Sequence, residues 1–368
     1  MEEMQNELAL AREEINAVDR EMAALFVRRM EAVRRVADYK MRHGLPIYDP
    51  VREQAVIERN SAYVADAELR SFYTCLLGDQ MRISRRYQDK LLYGMKVAFS
   101  GVEGAFAAIA AKKIFPTATR MPFGDFRAAY DAVVDGRCDC AVLPIENSTA
   151  GEVGAVLDML FSGPLHLTGV YDLFIHQNLM ALPGTRREDI TRVISHPQAL
   201  AQCAPYLRAH GYKTEAFENT ALAAKHVAES GDRTVAAIAS EETAELYGLE
   251  ILEKQINETA INTTRFAVLT REALVGSGDK GRHSILLFTV NNRAGALAEA
   301  IHIIGKHGYN MRCLRSRPMK ELMWQYYFYV ETEGDLTTAA GKEMLAELTP
   351  YCDKLKLMGS FAYPAELH

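Results

Sequence analysis

LFVRRMEAVRRVADYK, residues 25–40, belongs to a helix with an inconsistency on one face. Read back to Ile15, apolar side chains recur at Ile15, Val18, Met22, Leu25, Val33 and Val36, the spacing of one helical stripe. Where further apolar residues should stand on that stripe, the sequence has Arg29 and Lys40. They lie eleven residues apart, close to three full turns, and so point the same way. One cation on such a face reads as a snorkelling stem. Two read as a place for an anion.

Working outward, Asp49, Arg52 and Glu53 share a face of a second predicted helix, and Ser84 and Gln88 share a face of a third. Several cations with few acids on helical walls suit a small dicarboxylate, because Arg binds carboxylates bidentately. Arg12 adds a third cation, but it precedes Arg29 by seventeen residues, about 25 Å along a straight helix. Both cannot reach one small ligand from the same helix. Arg12 is therefore either irrelevant or supplied by a second copy of the chain. A first helix of about thirty-five residues would span about 50 Å, more than a domain of about 90 residues can bury alone, which favours an intertwined dimer.

The chain has 368 residues, enough for two or three domains. Helices are predicted over roughly 5–42, 50–60 and 65–93, with HGLPIYDP (43–50) breaking the first from the second through Gly44, Pro46 and Pro50. Residues 1–93 thus form one all-α region. A net charge of −6 and a pI near 6.0 argue against nucleic acid or an anionic membrane as main partner. The opening MEEMQNELAL does not read as a signal peptide, and no run of eighteen apolar residues is present to span a membrane. Six scattered cysteines read as reduced thiols in a cytoplasmic protein. Ten histidines without an HExxH-type cluster predict no metal, and no cofactor is expected.

Residues 96–270 alternate short apolar runs with helical segments, the pattern of an α/β domain: KVAFS (96–100), CDCAVLPI (138–145), TVAAIAS (234–240) and TRFAVLT (264–270). VGSGDKGRH (275–283) reads as a linker. Residues 283–368 then give strand HSILLFTV (283–290), a helix over 297–306, strands at 310–316 and 323–331, a helix over 337–348 and strand KLKLMGSF (354–361). That order, βαββαβ, is the ferredoxin-like α+β arrangement.

The middle region carries three polar clusters at strand ends, where open α/β sheets bind ligands. AVLPIENSTAGEV (141–153) holds Glu146, Asn147, Ser148 and Thr149, with Gly151 permitting a tight turn. VISHPQALAQC (193–203) holds Ser195, His196 and Gln198, and INTTRFAVL (261–269) holds Asn262, Thr263, Thr264 and Arg265. Any one of them alone reads equally well as a turn or a helix cap. In KVAFSGVEGAF (96–106), a strand runs through Gly101 and Gly104 into a helix whose backbone amides suit an anion.

These stretches carry resemblances. The run from Leu8 to Lys40, then IYDPVRE and ISRRYQ, resembles the all-helical chorismate mutase family over the whole first region. The resemblance implies a site of Arg12, Arg29, Lys40, Asp49, Arg52, Glu53, Ser84 and Gln88, with Arg12 reaching across a dimer. It implies a unimolecular rearrangement of chorismate to prephenate, with Lys40 and Gln88 donating to the breaking ether oxygen. Arg12, Arg29 and Arg52 would hold carboxylates, and Glu53 the ring hydroxyl.

PIENS with its following glycine, SHPQAL and the TRF run are similar to prephenate dehydratases over 96–270, which implies a two-lobed α/β fold with the site in its cleft. The resemblance puts Thr264 at the departing hydroxyl, with Glu146 as the rival acid, and has Asn147, Ser148, Gln198, Asn262 and Arg265 bind substrate. The last region, 283–368, resembles the ACT family of amino-acid-binding modules. It implies phenylalanine as effector, held by Gly295, Ala296, Leu297, Asn310, Met311, Ser316 and Arg317. It departs from that family at Arg315, where an acid is usual. The three in one chain resemble bifunctional chorismate mutase–prephenate dehydratases, as a homodimer or higher homo-oligomer. A two-lobed solute-binding protein, or a sensor without turnover, are the rival classes.

Overall fold

The computed structural model describes residues 2–259, 261–273, 282–291, 293–319, 325–362 and 365–367. Its contacts divide the chain into two units, Met1–Met95 and Lys96–His368.

The first unit is three helices, α1 (Glu2–His43), α2 (Pro50–Ser61) and α3 (Ala67–Tyr93). Neither Gly nor Pro interrupts the 42 residues of α1, which therefore run about 63 Å before Gly44 turns the chain at φ 61°. Asp49 and Asp66 cap α2 and α3, accepting from the amides of Arg52 and Leu69. Between α1 and α3, Arg29 donates to Ser84 and Arg34 to Tyr87. Among the described residues of this unit only Ala37, Leu77, Ser84 and Gln88 are buried. The predicted stripe is instead open, with Ile15 58% and Leu25 60% exposed. Two buried apolar side chains make too small a core for a unit this size. The stripe needs a cover.

The second unit begins with β1 (Lys96–Ser100), α4 (Phe106–Ile114), β2 (Thr119–Phe123), α5 (Phe126–Val134), β3 (Cys140–Asn147) and β4 (Gly151–Glu152). It continues through α6 (Gly154–Ser162), β5 (His166–Phe174) and β6 (Asn178–Ala181). Next come β7 (Arg192–Ser195), α7 (Pro197–Gln202), α8 (Ala204–Ala209), β8 (Lys213–Ala216), α9 (Thr220–Ser230), β9 (Val235–Ala239), α10 (Glu241–Tyr247) and β10 (Glu250–Glu253). The chain then returns through β11 (Thr263–Thr270). One mixed sheet has the order β5-β11-β3-β1-β2, with β4 paired to β3; a second has the order β10-β6-β9-β7-β8. The chain leaves the first lobe after β5 and re-enters it as β11, between β5 and β3. Asn147 and Thr264 thereby become direct partners at the strand ends nearest the crossing.

The last third comprises β12 (Arg282–Phe288), α11 (Ala296–Lys306), β13 (Met311–Pro318), β14 (Tyr326–Glu333), α12 (Ala339–Leu348), β15 (Leu355–Ala362) and β16 (Ala365–Leu367). Its antiparallel sheet has the order β13-β14-β12-β15, with the expected βαββαβ succession. Residues 275–281 of the expected linker, and Met323 and Trp324 of an expected strand, lie outside the described residues. Arg282, read as linker, already belongs to β12, and His283 lies within it as the strand reading expects. One face of this sheet packs Leu286, Phe288 and Val330 against Ile304 and Met344 of its own helices. The other packs Ile285, Leu287, Tyr327, Tyr329 and Phe361 into the core of the first lobe, with Leu157, Leu160 and Leu167. Burial on both faces explains the unbroken run Ile285–Phe288. The final strand, β16, leaves its own module and pairs in parallel with β5.

Candidate functional site

In the helical unit the structure groups the expected residues in two sets. Arg29 donates to Ser84 Oγ at 2.5 Å, and Gln88, four residues on, donates Nε2 to the Ser84 carbonyl at 3.3 Å. Ser84 and Gln88 are buried, and Gln88 Oε1 has no hydrogen-bond partner among the described residues. Burial lowers the pKa of the Arg29 guanidinium. Around the start of α2, Lys40 Nζ donates to the Ile47 carbonyl at 2.5 Å, and Glu53 pairs with Arg85, a residue outside the expected set. Arg52 and Arg12 are exposed.

Asp49 departs from expectation. It stands before α2 rather than on its face, and its carboxylate accepts from the Arg52 amide at 2.9 Å as the N-cap. Its spacing to Arg52 is that of a cap as much as that of a helical face.

In the second unit a cavity of about 450 Å³ lies between the lobes, within the range of small-molecule sites. Thr264, Asn147 and Gln198 line it, together with His196, Gln177, Gln202, Asn219 and Thr220. Asn147 is the anchor. Its Nδ2 donates to Thr264 Oγ1 and to Asn262 Oδ1, each at 2.9 Å, while its Oδ1 accepts from the amides of Thr149 and Ala150 and from Thr149 Oγ1. Asn262 donates to Gln202 Oε1 at 3.0 Å and Gln202 donates to Thr149 Oγ1 at 2.9 Å, closing a ring that joins the two lobes. Every member is satisfied, which makes such a network rigid. Since Thr264 Oγ1 accepts from Asn147, its own proton is free for a group in the cavity.

Two expected residues face elsewhere. Successive side chains of a strand point to opposite sides, so Arg265 cannot join Thr264, nor Glu146 join Asn147. Arg265 Nη1 lies 2.8 Å from Glu331 on β14 and 3.8 Å from Glu146, and its Nε lies 3.4 Å from Asp172. Glu146 is paired with Arg315 of β13. Burial opposes the charge on Arg265, but Glu331 and Asp172 outweigh it and raise its pKa. Burial likewise pushes Asp172 up, while for Glu331 the pull of Arg265 and a hydrogen bond from His283 overcome burial and hold the carboxyl below its ordinary value. Glu146 as acid and Arg265 as carboxylate donor are thus withdrawn by their placement. Ser148 ties strand ends instead of lining the cavity, donating to the Ile261 carbonyl and accepting from the Thr263 amide.

No lysine or arginine lines this cavity among the described residues. Positive potential comes from backbone: α4 and α9 begin at Phe106 and Thr220, and α6 begins beside Val153, all in the wall. His196, the imidazole of the wall among the described residues, has its pKa lowered by burial. Sequence reasoning missed Gln202, although it lies four residues beyond Gln198 within a stretch already singled out.

Of the expected effector residues, Gly295 takes φ 83° to start α11, Ala296 is buried beneath it, and Asn310 and Ser316 are exposed. Arg317 turns from Ser316 to the other face of β13, where it meets Glu152 and Asp158 of the first lobe. Among the described residues no group of His, Cys, Asp and Glu is placed to hold a metal, and no helix is long and apolar enough to cross a membrane.

Residues 97–274 match the family model of prephenate dehydratase, and residues 11–89 that of chorismate mutase type II. The chain is 30% identical over 377 residues to the bifunctional chorismate mutase/prephenate dehydratase of Escherichia coli (strain K12), covering 98% of this chain and 97% of that protein. It is 35% identical over 289 residues to arogenate dehydratase/prephenate dehydratase 6, chloroplastic, of Arabidopsis thaliana, covering 74% of this chain and 70% of that one. Among solved structures it is similar to the prephenate dehydratase from Arthrobacter aurescens in complex with L-Phe, with a TM-score of 0.68 and 27% identity over 74% of this chain and 93% of the other.

Proposed function

The chain belongs to the family of bifunctional chorismate mutase/prephenate dehydratases, and from that premise we propose how its side chains divide the two reactions.

In the helical unit, rearrangement of chorismate needs no nucleophile and no proton transfer, so the protein has only to hold the compact conformer and stabilise charge on the breaking ether. Arg29 takes a carboxylate, with Ser84 fixing the guanidinium. Lys40 and Gln88 donate to the ether oxygen, Glu53 accepts the ring hydroxyl, and Arg52 assists at the rim. The unpartnered buried amide oxygen of Gln88 supports a polar ligand there. Arg12 serves the site of a second subunit: the unbroken α1 keeps it far from Arg29, and the exposed stripe supports a dimer. Chains carrying Arg12→Ala and Lys40→Ala, mixed, should recover one working mutase site per heterodimer; no recovery from heterodimers shown to form rules out sharing.

In the α/β unit, prephenate loses its ring carboxylate as carbon dioxide while its hydroxyl takes a proton and leaves as water, giving phenylpyruvate. Aromatisation drives the step, so catalysis lies in helping the hydroxyl depart. Thr264 donates to it, polarised by Asn147, and Gln198, Gln202 and Asn262 orient the substrate. The helix N-termini in the wall meet its two carboxylates. The Asn147–Thr264 contact at 2.9 Å carries this reading.

The last sheet is an ACT module, with phenylalanine as effector held by Gly295, Ala296, Leu297, Asn310, Met311 and Ser316. The bound L-Phe named for the A. aurescens protein supports this. The six free cysteines suit a reducing, cytoplasmic setting. One assay tests the whole: purified protein given chorismate alone should form phenylpyruvate, at a rate that changes with added phenylalanine. Prephenate accumulating without phenylpyruvate refutes the roles of Thr264 and Asn147, and unconsumed chorismate refutes those of Arg29 and Lys40.

A further inference from the structure

We propose that Arg315 and Arg317 of the last sheet are positioning residues for the dehydratase cavity, acting by clamping the β3–β4 hairpin that carries Asn147. The inference rests on the dehydratase reading of that cavity. Along β13, Cys313, Arg315 and Arg317 are half-buried toward the first lobe, while Arg312, Leu314, Ser316 and Pro318 are exposed. The two arginines therefore reach out side by side. Arg315 pairs with Glu146, and Arg317 lies 2.8 Å from Glu152 and 3.4 Å from Asp158.

Glu146 and Glu152 are direct cross-strand partners in the β3–β4 ladder. Like charges opposite one another destabilise a strand pair, so this hairpin needs counter-charges from outside it. The next pair along is Asn147 with Gly151, the tip of the hairpin, where Gly151 takes φ 82°. Asn147 holds Thr264, and the free side of Glu146 faces Arg265, the residue after Thr264. The clamp thus grips the hairpin one residue from each member of the catalytic pair. Glu152 belongs to the cavity wall, and Arg317 holds its carboxylate on the face it shares with Glu146, away from Asn147. Gly154 admits that guanidinium: a Cβ there would stand 2.2 Å from Arg317 Nη2.

The test is steady-state conversion of prephenate by the full-length protein. Arg315→Ala should lower kcat roughly tenfold with little change in KM, as expected for a displaced catalytic pair. Arg315→Lys should recover most of that loss, since an ammonium still meets Glu146. Arg317→Ala should likewise lower kcat, by roughly tenfold, because Glu152 then loses the counter-charge that holds it opposite Glu146. Arg315→Ala added to Glu146→Gln should cost no more than either change alone. Mutase turnover by the same preparations, and their thermal midpoints, separate these effects from loss of fold. Should Arg315→Ala prove unstable, Arg315→Lys and the Glu146→Gln pair decide. Unchanged kcat in Arg315→Ala, no rescue by Lys, unchanged kcat in Arg317→Ala, or additive losses in the double variant would each overturn the clamp. Absence of phenylpyruvate from the unaltered protein would instead overturn the dehydratase reading.

Discussion

The helical unit and the cavity of the α/β unit present opposite kinds of positive potential. The first holds side-chain cations, with Arg29 half-buried against Ser84 and Lys40 against the Ile47 carbonyl. The second has no lysine or arginine in its wall among the described residues but has helix N-termini there, with Asn147 locked in a hydrogen-bonded ring. Guanidinium and ammonium groups can be read from a sequence as breaks in an apolar stripe. Backbone potential exists only once topology has aimed several helices at one place, so it leaves almost no trace in the residues themselves.

The contrast sets the order of expected effects. Thr264→Ala should lower the dehydratase kcat by about 10²–10³-fold, the usual cost of one preorganised donor, and leave chorismate consumption unchanged. Lys40→Ala should do the reverse, an about 10²–10³-fold loss of mutase kcat with prephenate conversion intact. If either change damages both activities alike, the division between units fails. Glu331→Gln, by removing the nearest of the carboxylates around half-buried Arg265, should cost about 2 kcal/mol in the unfolding of the second unit, measured by denaturant titration. Because the folded protein holds the Glu331 carboxyl below its ordinary value near 4.5, its contribution is present above that pH and is lost as pH falls through the lower, folded value. The Gln variant should lack that part of the acid dependence. Asp49→Ala removes a cap and should cost about 1 kcal/mol of helical-unit stability, with mutase kcat changing little. A loss of kcat as large as that of Lys40→Ala would return Asp49 to the substrate.

Much of this architecture was legible beforehand. The three helices, the α/β alternation and the βαββαβ order follow from periodicity and from breakers such as Gly44 and Pro50. Thr264, Asn147 and Gln198 stood out as polar groups at strand ends, and they meet in one cavity. What misled was adjacency. Glu146 and Arg265 neighbour Asn147 and Thr264 in sequence, but strand geometry turns them to the opposite face, where β13 and β14 meet them. Asp49 misled because three-residue spacing serves a cap as well as a helical face. Gln202 was within reach, but its partner Asn262 lies sixty residues away, and no local pattern joins them.

The closing strand β16 has a consequence for synthesis. It supplies the neighbour of β5 in the first-lobe sheet, yet it follows β5 only after all the intervening strands and helices of the unit. A ribosome emitting about 5–20 residues per second delivers Ala365 roughly 10–40 s after Phe174. Throughout that interval the outer edge of β5 has unpaired amides and carbonyls, the kind of edge on which chains aggregate. The sheet that holds Thr264 is sealed only once β16 has been made, so a chain terminated before Ala365 would expose this edge even where every residue of the cavity had already been made.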